Sequence, residues 1–158
     1  MGASSINCTA LSPDETAAIA VVLAAELEPG DTILLSGDVG AGKTHFARAL
    51  IQSILPVPED VPSPTFTLVQ TYETTRGSLW HSDLYRLSST YEIEELGLFD
   101  AFETAICLVE WPDRLGFEAP ADALSVNLVA TSDTEARDIN ASWSADKWDA
   151  KLQRWAAA

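Results

Sequence analysis

Gly37, Gly42, Lys43 and Thr44 stand at the spacing Gly-x4-Gly-Lys-Thr inside the string Gly37-Asp38-Val39-Gly40-Ala41-Gly42-Lys43-Thr44. These residue types at this spacing can grip a chain of phosphates. Gly37, Gly40 and Gly42 permit backbone conformations that a side chain would block, so successive amide N–H groups can converge on an anion. A helix starting just after them would aim the positive end of its dipole at the same place. Lys43 then reaches the outer phosphates, and the Thr44 hydroxyl is positioned to ligate Mg²⁺. The expected ligand is a nucleoside triphosphate, held by residues 37–44 including Asp38, Val39 and Ala41.

Such a loop also needs an acidic group at the end of a neighbouring strand, to hold the metal or its waters. Glu110, directly after the apolar run Ile106-Cys107-Leu108-Val109, is the best placed. Asp83, after Leu79-Trp80-His81-Ser82, is the second candidate and can bind a metal water or position an attacking one. Thr65, in Ser63-Pro64-Thr65-Phe66, can act as a switch residue that senses the γ-phosphate, or simply open a strand. His45 and His81 are assigned no role, because a lone histidine in such places is more often structural.

The elements that must position these groups follow from periodicity and punctuation. A helix is expected over 13–28, with Ser12 as cap, Pro13 in the first turn, Glu15 completing a Ser-x-x-Glu box, and Pro29-Gly30 as the stop. Thr32 to Leu35 is a short apolar strand leading into the glycine-rich turn, and 44–55 is the helix leaving it. Four prolines between 56 and 64 mark an irregular loop. Strands are expected over 65–72 and 78–85, joined near Arg76-Gly77, then a short helix from Ser89 or Thr90 to Gly97. Residues 105–110, 125–130 and 137–142 read as further strands. A last helix from Ser144 carries Trp148, Leu152 and Trp155 at helical spacing, a core-packing stripe. Helices and strands that alternate early and strands that cluster late point to one α/β domain over 1–158, with helices flanking a mixed sheet.

Composition narrows the function classes. The chain has 158 residues, 47% hydrophobic and 21% charged, an ordinary globular balance. No apolar run is long enough to span a membrane, and the first residues do not read as a signal peptide. Cys8 and Cys107 lack metal spacing, and Cys107 sits in an apolar run as a small buried hydrophobe; no disulfide is expected, which fits a reducing cytoplasm. With 24 acidic against 9 basic residues the formal charge is −15, so tight direct binding to DNA or RNA is not expected.

Beyond the glycine-rich string, Ser63-Pro64-Thr65-Phe66-Thr67-Leu68-Val69, His81-Ser82-Asp83-Leu84-Tyr85-Arg86-Leu87, Glu94-Glu95-Leu96-Gly97 and Leu108-Val109-Glu110-Trp111-Pro112 follow in order. This combination resembles the bacterial TsaE (YjeE) P-loop ATPases over residues 12–115. The resemblance implies a weak, Mg-dependent ATPase serving threonylcarbamoyladenosine (t6A) modification of tRNAs that read ANN codons. It implies a TsaB–TsaD-type complex as partner, with the modification chemistry belonging to that partner. It also implies Thr44 and Glu110 as magnesium ligands, Asp83 as a residue needed for hydrolysis, Thr65 in a switch region and Arg137 near the base. His45 departs from the second Thr common in the family, and the region beyond 116 matches weakly.

Two other readings use the same loop. A GTPase switch would draw on Thr65, on Asp113-Arg114-Leu115-Gly116 as Asp-x-x-Gly, and on Asp146-Lys147-Trp148-Asp149 as an imperfect guanine-reading string. A small-molecule kinase would need an arginine-rich lid, which 9 Lys plus Arg do not supply. A nucleotide-gated binding module with incidental hydrolysis overlaps the ATPase reading.

Overall fold

The computed structural model describes residues 4–38, 40–64, 67–131 and 135–157. Its strands are β1 (Ser4–Ala10), β2 (Thr32–Ser36), β3 (Val69–Thr74), β4 (Gly77–Asp83), β5 (Ile106–Glu110), β6 (Leu124–Ala130) and β7 (Arg137–Trp143). Its helices are α1 (Pro13–Ala24), α2 (Lys43–Ile54), α3 (Thr90–Glu95), α4 (Leu98–Thr104), α5 (Lys147–Lys151) and α6 (Gln153–Ala157), with a 3-10 segment over Pro112–Glu118. The strands form one seven-stranded sheet in the order β1-β7-β6-β2-β5-β4-β3. The four inner strands β6, β2, β5 and β4 run parallel, while β1, β7 and β3 pair antiparallel at the flanks. This is the mixed α/β sandwich expected.

β2 and β5 lie at the centre because neither has a polar side to turn toward water. Four of the five β2 residues and all five of β5 are buried, the pattern of strands covered on both faces. One face, with Ile33, Leu35, Leu79 and Leu108, packs under α1, α2 and Trp148, Leu152 and Trp155 of the C-terminal segment. The other, with Leu34, Cys107 and Val109, packs under α3, α4 and the 3-10 segment. Cys8 and Cys107 are both free thiols. Burial pushes the Cys107 thiol up to about 12, so it stays neutral and packs as a hydrophobe.

α1 begins as its sequence dictates: the Ser12 side chain accepts from Glu15 N–H at 3.2 Å. Glu15 reaches back one residue further than a capping box requires, to Leu11 N–H at 3.2 Å. The helix ends at Ala24, short of the expected 28, because Glu26 and Leu27 bond three residues back, to Leu23 and Ala24. The expected C-terminal helix is two short ones, broken at Leu152, whose ψ of 0° leaves the helical range. Its three large residues are nonetheless core, at 0%, 2% and 1% exposure.

Three elements went unread in the sequence. β1 alternates inward Ile6, Cys8 and Ala10 with exposed polar residues, a period-two signal diluted by Ser, Asn and Thr. Gly97, taken as an end, serves twice: its left-handed φ of 80° closes α3 and starts α4. The Pro112–Glu118 segment is built on Trp111, a left-handed residue at φ 60°, ψ 54°. Among the described residues no helix is long and apolar enough to cross a membrane.

Candidate functional site

β2 delivers the chain into the glycine-rich loop, and α2 carries it away. Gly37, Gly40 and Gly42 all have left-handed φ, of 143°, 84° and 102°. At Gly37 the need is also steric, since a Cβ there would lie 2.5 Å from the Leu128 carbonyl oxygen of β6. Gly42 caps α2 without a side-chain hydrogen bond. The N–H groups of the first turn therefore point out of the helix at the loop, where an anion can accept from them. Val39 lies outside the described residues, as does Thr65, the expected switch residue.

Lys43 is 5% exposed. Its Nζ donates to the carbonyls of Gly37 at 2.6 Å and Asp38 at 3.0 Å, and lies 4.2 Å from the centre of the Trp111 ring. Burial pushes its ammonium below the ordinary lysine range, against the opposing pull of Glu110, Asp83 and Asp38. Trp111 in turn packs against Tyr85, the ring centres 4.8 Å apart and the planes tilted by 49°.

Strand register brings the two carboxylates together. β4 and β5 pair in parallel with Asp83 opposite Glu110, and β5 pairs with β2 so that Glu110 lies opposite Leu35, two residues before the loop. Glu110 is 2% and Asp83 5% exposed. Thr44 donates its hydroxyl to Glu110, at 3.0 Å from Oε1 and 3.3 Å from Oε2. Asp83 Oδ1 accepts from Tyr85 N–H at 3.0 Å, which fixes the carboxylate at the strand end. Gly40, Gly42, Lys43, Thr44, Asp83 and Glu110 thus line one cleft of about 390 Å³, with His45, Tyr85 and Trp111.

The donors fit a hard divalent cation: one hydroxyl and two carboxylates, all oxygen. Among the described residues no three His, Cys, Asp or Glu side chains can hold a metal by themselves. A cation here would therefore complete its shell with phosphate and water oxygens, as Mg²⁺ prefers. Two buried carboxylates side by side are costly unless positive charge joins them, and a bound cation would add to that of Lys43.

Arg137, at the start of β7, donates to the carbonyls of Ala41 at 2.9 Å and Gly40 at 3.4 Å. It lines a second cavity of about 220 Å³ behind the loop, with Pro13, Thr16, Ala41, Gly42, His45 and Glu135. Thr16 is 2% exposed and its hydroxyl has no hydrogen-bond partner among the described residues, so the wall of this cavity contains a buried polar atom that a ligand can satisfy.

Two participants were missed. His81 is fully buried, with Nε2 2.6 Å from Glu110 Oε2; its place two residues before Asp83 on one strand was the available signal. Trp111 directly follows Glu110, but only its left-handed backbone turns the ring back over Lys43. The guanine-reading string, in contrast, lies away from the loop. Lys147 binds Asp31 at 2.9 Å, before the opposite end of β2, so Asp146–Asp149 does not reach the cleft.

Comparison with known proteins bears on the family and the fold. Residues 10–139 match the model of the family described as "Threonylcarbamoyl adenosine biosynthesis protein TsaE". The tRNA threonylcarbamoyladenosine biosynthesis protein TsaE of Rickettsia bellii is 41% identical over 122 residues, covering 77% of this chain and 85% of that protein. Its namesake in Bacillus subtilis is 38% identical over 126 residues, covering 79% and 78%. The crystal structure of Bacillus subtilis YdiB superposes with a TM-score of 0.81 at 28% identity, covering 99% of this chain and 97% of that one. The chain belongs to the TsaE family, proteins of threonylcarbamoyladenosine biosynthesis.

Proposed function

We propose that this protein is a cytoplasmic Mg-dependent ATPase that supports t6A modification of tRNA by acting on a TsaB–TsaD-type complex. The observation that carries the reading is the meeting of Lys43, Thr44, Asp83 and Glu110 in one cleft at the N-terminus of α2. Phosphoryl transfer asks little covalent chemistry of a protein; positioning and charge stabilisation suffice. The N–H groups of residues 37–44 and the Lys43 ammonium take the phosphate charge. Thr44 and Glu110 hold magnesium, which when bound neutralises charge on the phosphate oxygens. Asp83, fixed by Tyr85 N–H, positions the attacking water. The nucleoside occupies the cavity beside Arg137 and Thr16, and Thr65 serves as the switch. The net charge of −15 suits a protein that acts through its partner and does not grip tRNA itself.

The test is phosphate release from Mg-ATP and Mg-GTP by the purified protein, with and without a TsaB–TsaD complex. ATP-selective release, raised by the complex, is expected. Lys43→Ala abolishes it, and Glu110→Ala lowers it while leaving the thermal melt cooperative. Preference for GTP with indifference to the complex would refute the proposal.

A further inference from the structure

A pair of residues links the cleft to the core. On β4, His81 and Asp83 point to one side of the sheet; on β5, Leu108 and Glu110 point to the same side. The register sets Asp83 against Glu110 and His81 against Leu108, one step toward the buried interior. The His81 ring is 0% exposed, and its Nε2 meets Glu110 Oε2 at 2.6 Å. Glu110 is therefore tied at both ends of its carboxylate, to Thr44 mainly through Oε1 and to His81 through Oε2. The other ring nitrogen, Nδ1, is buried without a hydrogen-bond partner among the described residues. A proton there would leave an N–H group unsatisfied in the core, whereas a lone pair there is cheaper to bury. The surroundings thus favour a proton on Nε2, directed at the carboxylate.

We propose that His81 is a positioning residue for the cation site: its Nε2–H fixes the Glu110 carboxylate so that Glu110 and Thr44 present oxygens together. The proposal rests on the magnesium role given to Thr44 and Glu110 above. Without the imidazole, Glu110 rotates about its side-chain torsions in a buried cleft, and ordering it falls to the cation. Partners of this kind behind a ligating carboxylate typically contribute about 10- to 100-fold in metal affinity.

Two measurements test it. The first needs no substitution: long-range ¹⁵N–¹H NMR of the two histidines, assigned with a His45→Gln variant, reads the tautomer. A protonated Nε2 on His81 is expected, and a proton on Nδ1 alone overturns the proposal. The second titrates Mg²⁺ into the protein with a fluorescent ADP analogue. His81→Leu, which removes the donor, is expected to raise the half-saturating Mg²⁺ about 10-fold or more, with nucleotide affinity in EDTA unchanged. His81→Gln, which keeps an N–H at similar reach, restores most of the loss. A Mg²⁺ requirement in His81→Leu within about twofold of wild type, or no rescue by Gln in a folded variant, sinks the inference. Wild-type nucleotide binding that ignores Mg²⁺ sinks instead the magnesium role proposed for the cleft, and the positioning role with it.

Discussion

Gly37→Ala should be among the most damaging single-methyl changes in this protein. The added Cβ would sit 2.5 Å from the Leu128 carbonyl oxygen and 3.2 Å from the Ala41 Cβ. The first contact is with backbone, and that backbone is pinned: Leu128 pairs with Ile139 across β6 and β7. The loop must therefore move, and it must also place an L-residue at φ 143°. Such conformations cost about 1–3 kcal/mol, and relieving the clash adds on the order of 1–3 kcal/mol by analogy with overpacked cores. A summed loss of roughly 2–6 kcal/mol is a large part of a typical stability of about 5–15 kcal/mol. Gly40→Ala is the control. Among the described residues its Cβ meets nothing within 4 Å, so the φ of 84° is what opposes it, at about 1–2 kcal/mol. Urea unfolding separates the two. With a slope of roughly 2 kcal/mol/M, the Gly37 variant loses about 1–3 M in midpoint and the Gly40 variant about 0.5–1 M. Because the Gly37 carbonyl also holds Lys43, the first variant should lose nucleotide affinity as well. Equal midpoints would refute the steric argument and leave only a generic cost of replacing loop glycines.

Asp31 is 2% exposed and accepts from Lys151 at 2.6 Å and Lys147 at 2.9 Å, tying α5 to the foot of β2. Asp31→Asn should cost roughly 3 kcal/mol near neutral pH. Burial depresses the Lys151 ammonium, but hydrogen bonds to Asp31 and Glu28 outweigh it and leave it above the ordinary value of 10.5. Its contribution is thus complete below 10.5 and lost as pH rises through the folded-state value. Urea midpoints of wild type and Asp31→Asn should converge in strongly alkaline buffer; a gap that persists there would contradict the ion-pair account. At position 111, Trp111→Gly should be more stable than Trp111→Ala by about 1 kcal/mol, because the backbone there is left-handed. Equal melting of the two would show that the turn relaxes once the indole is gone.

The glycine-rich loop, the two buried central strands, the Ser12 cap and the acidic residue ending an apolar strand were all legible in the sequence. Each is a local signal, complete within a few consecutive residues: backbone freedom at glycine, hydrophobic runs, a capping hydroxyl three residues from its donor. The same locality explains the misses. Nothing near His81 in the chain announces Glu110, 29 residues away; they meet because β4 and β5 are neighbours in this register. Arg137, named through the family resemblance and not through any local signal, reaches the loop across 96 residues because β7 packs beside β6, itself beside β2. Trp111 covers Lys43 because one residue takes a left-handed turn that an indole does not favour. The sequence by itself determined which groups could do the chemistry and on which elements they sit. Strand order and register, which depend on the whole core finding its burial at once, decided which of those groups touch.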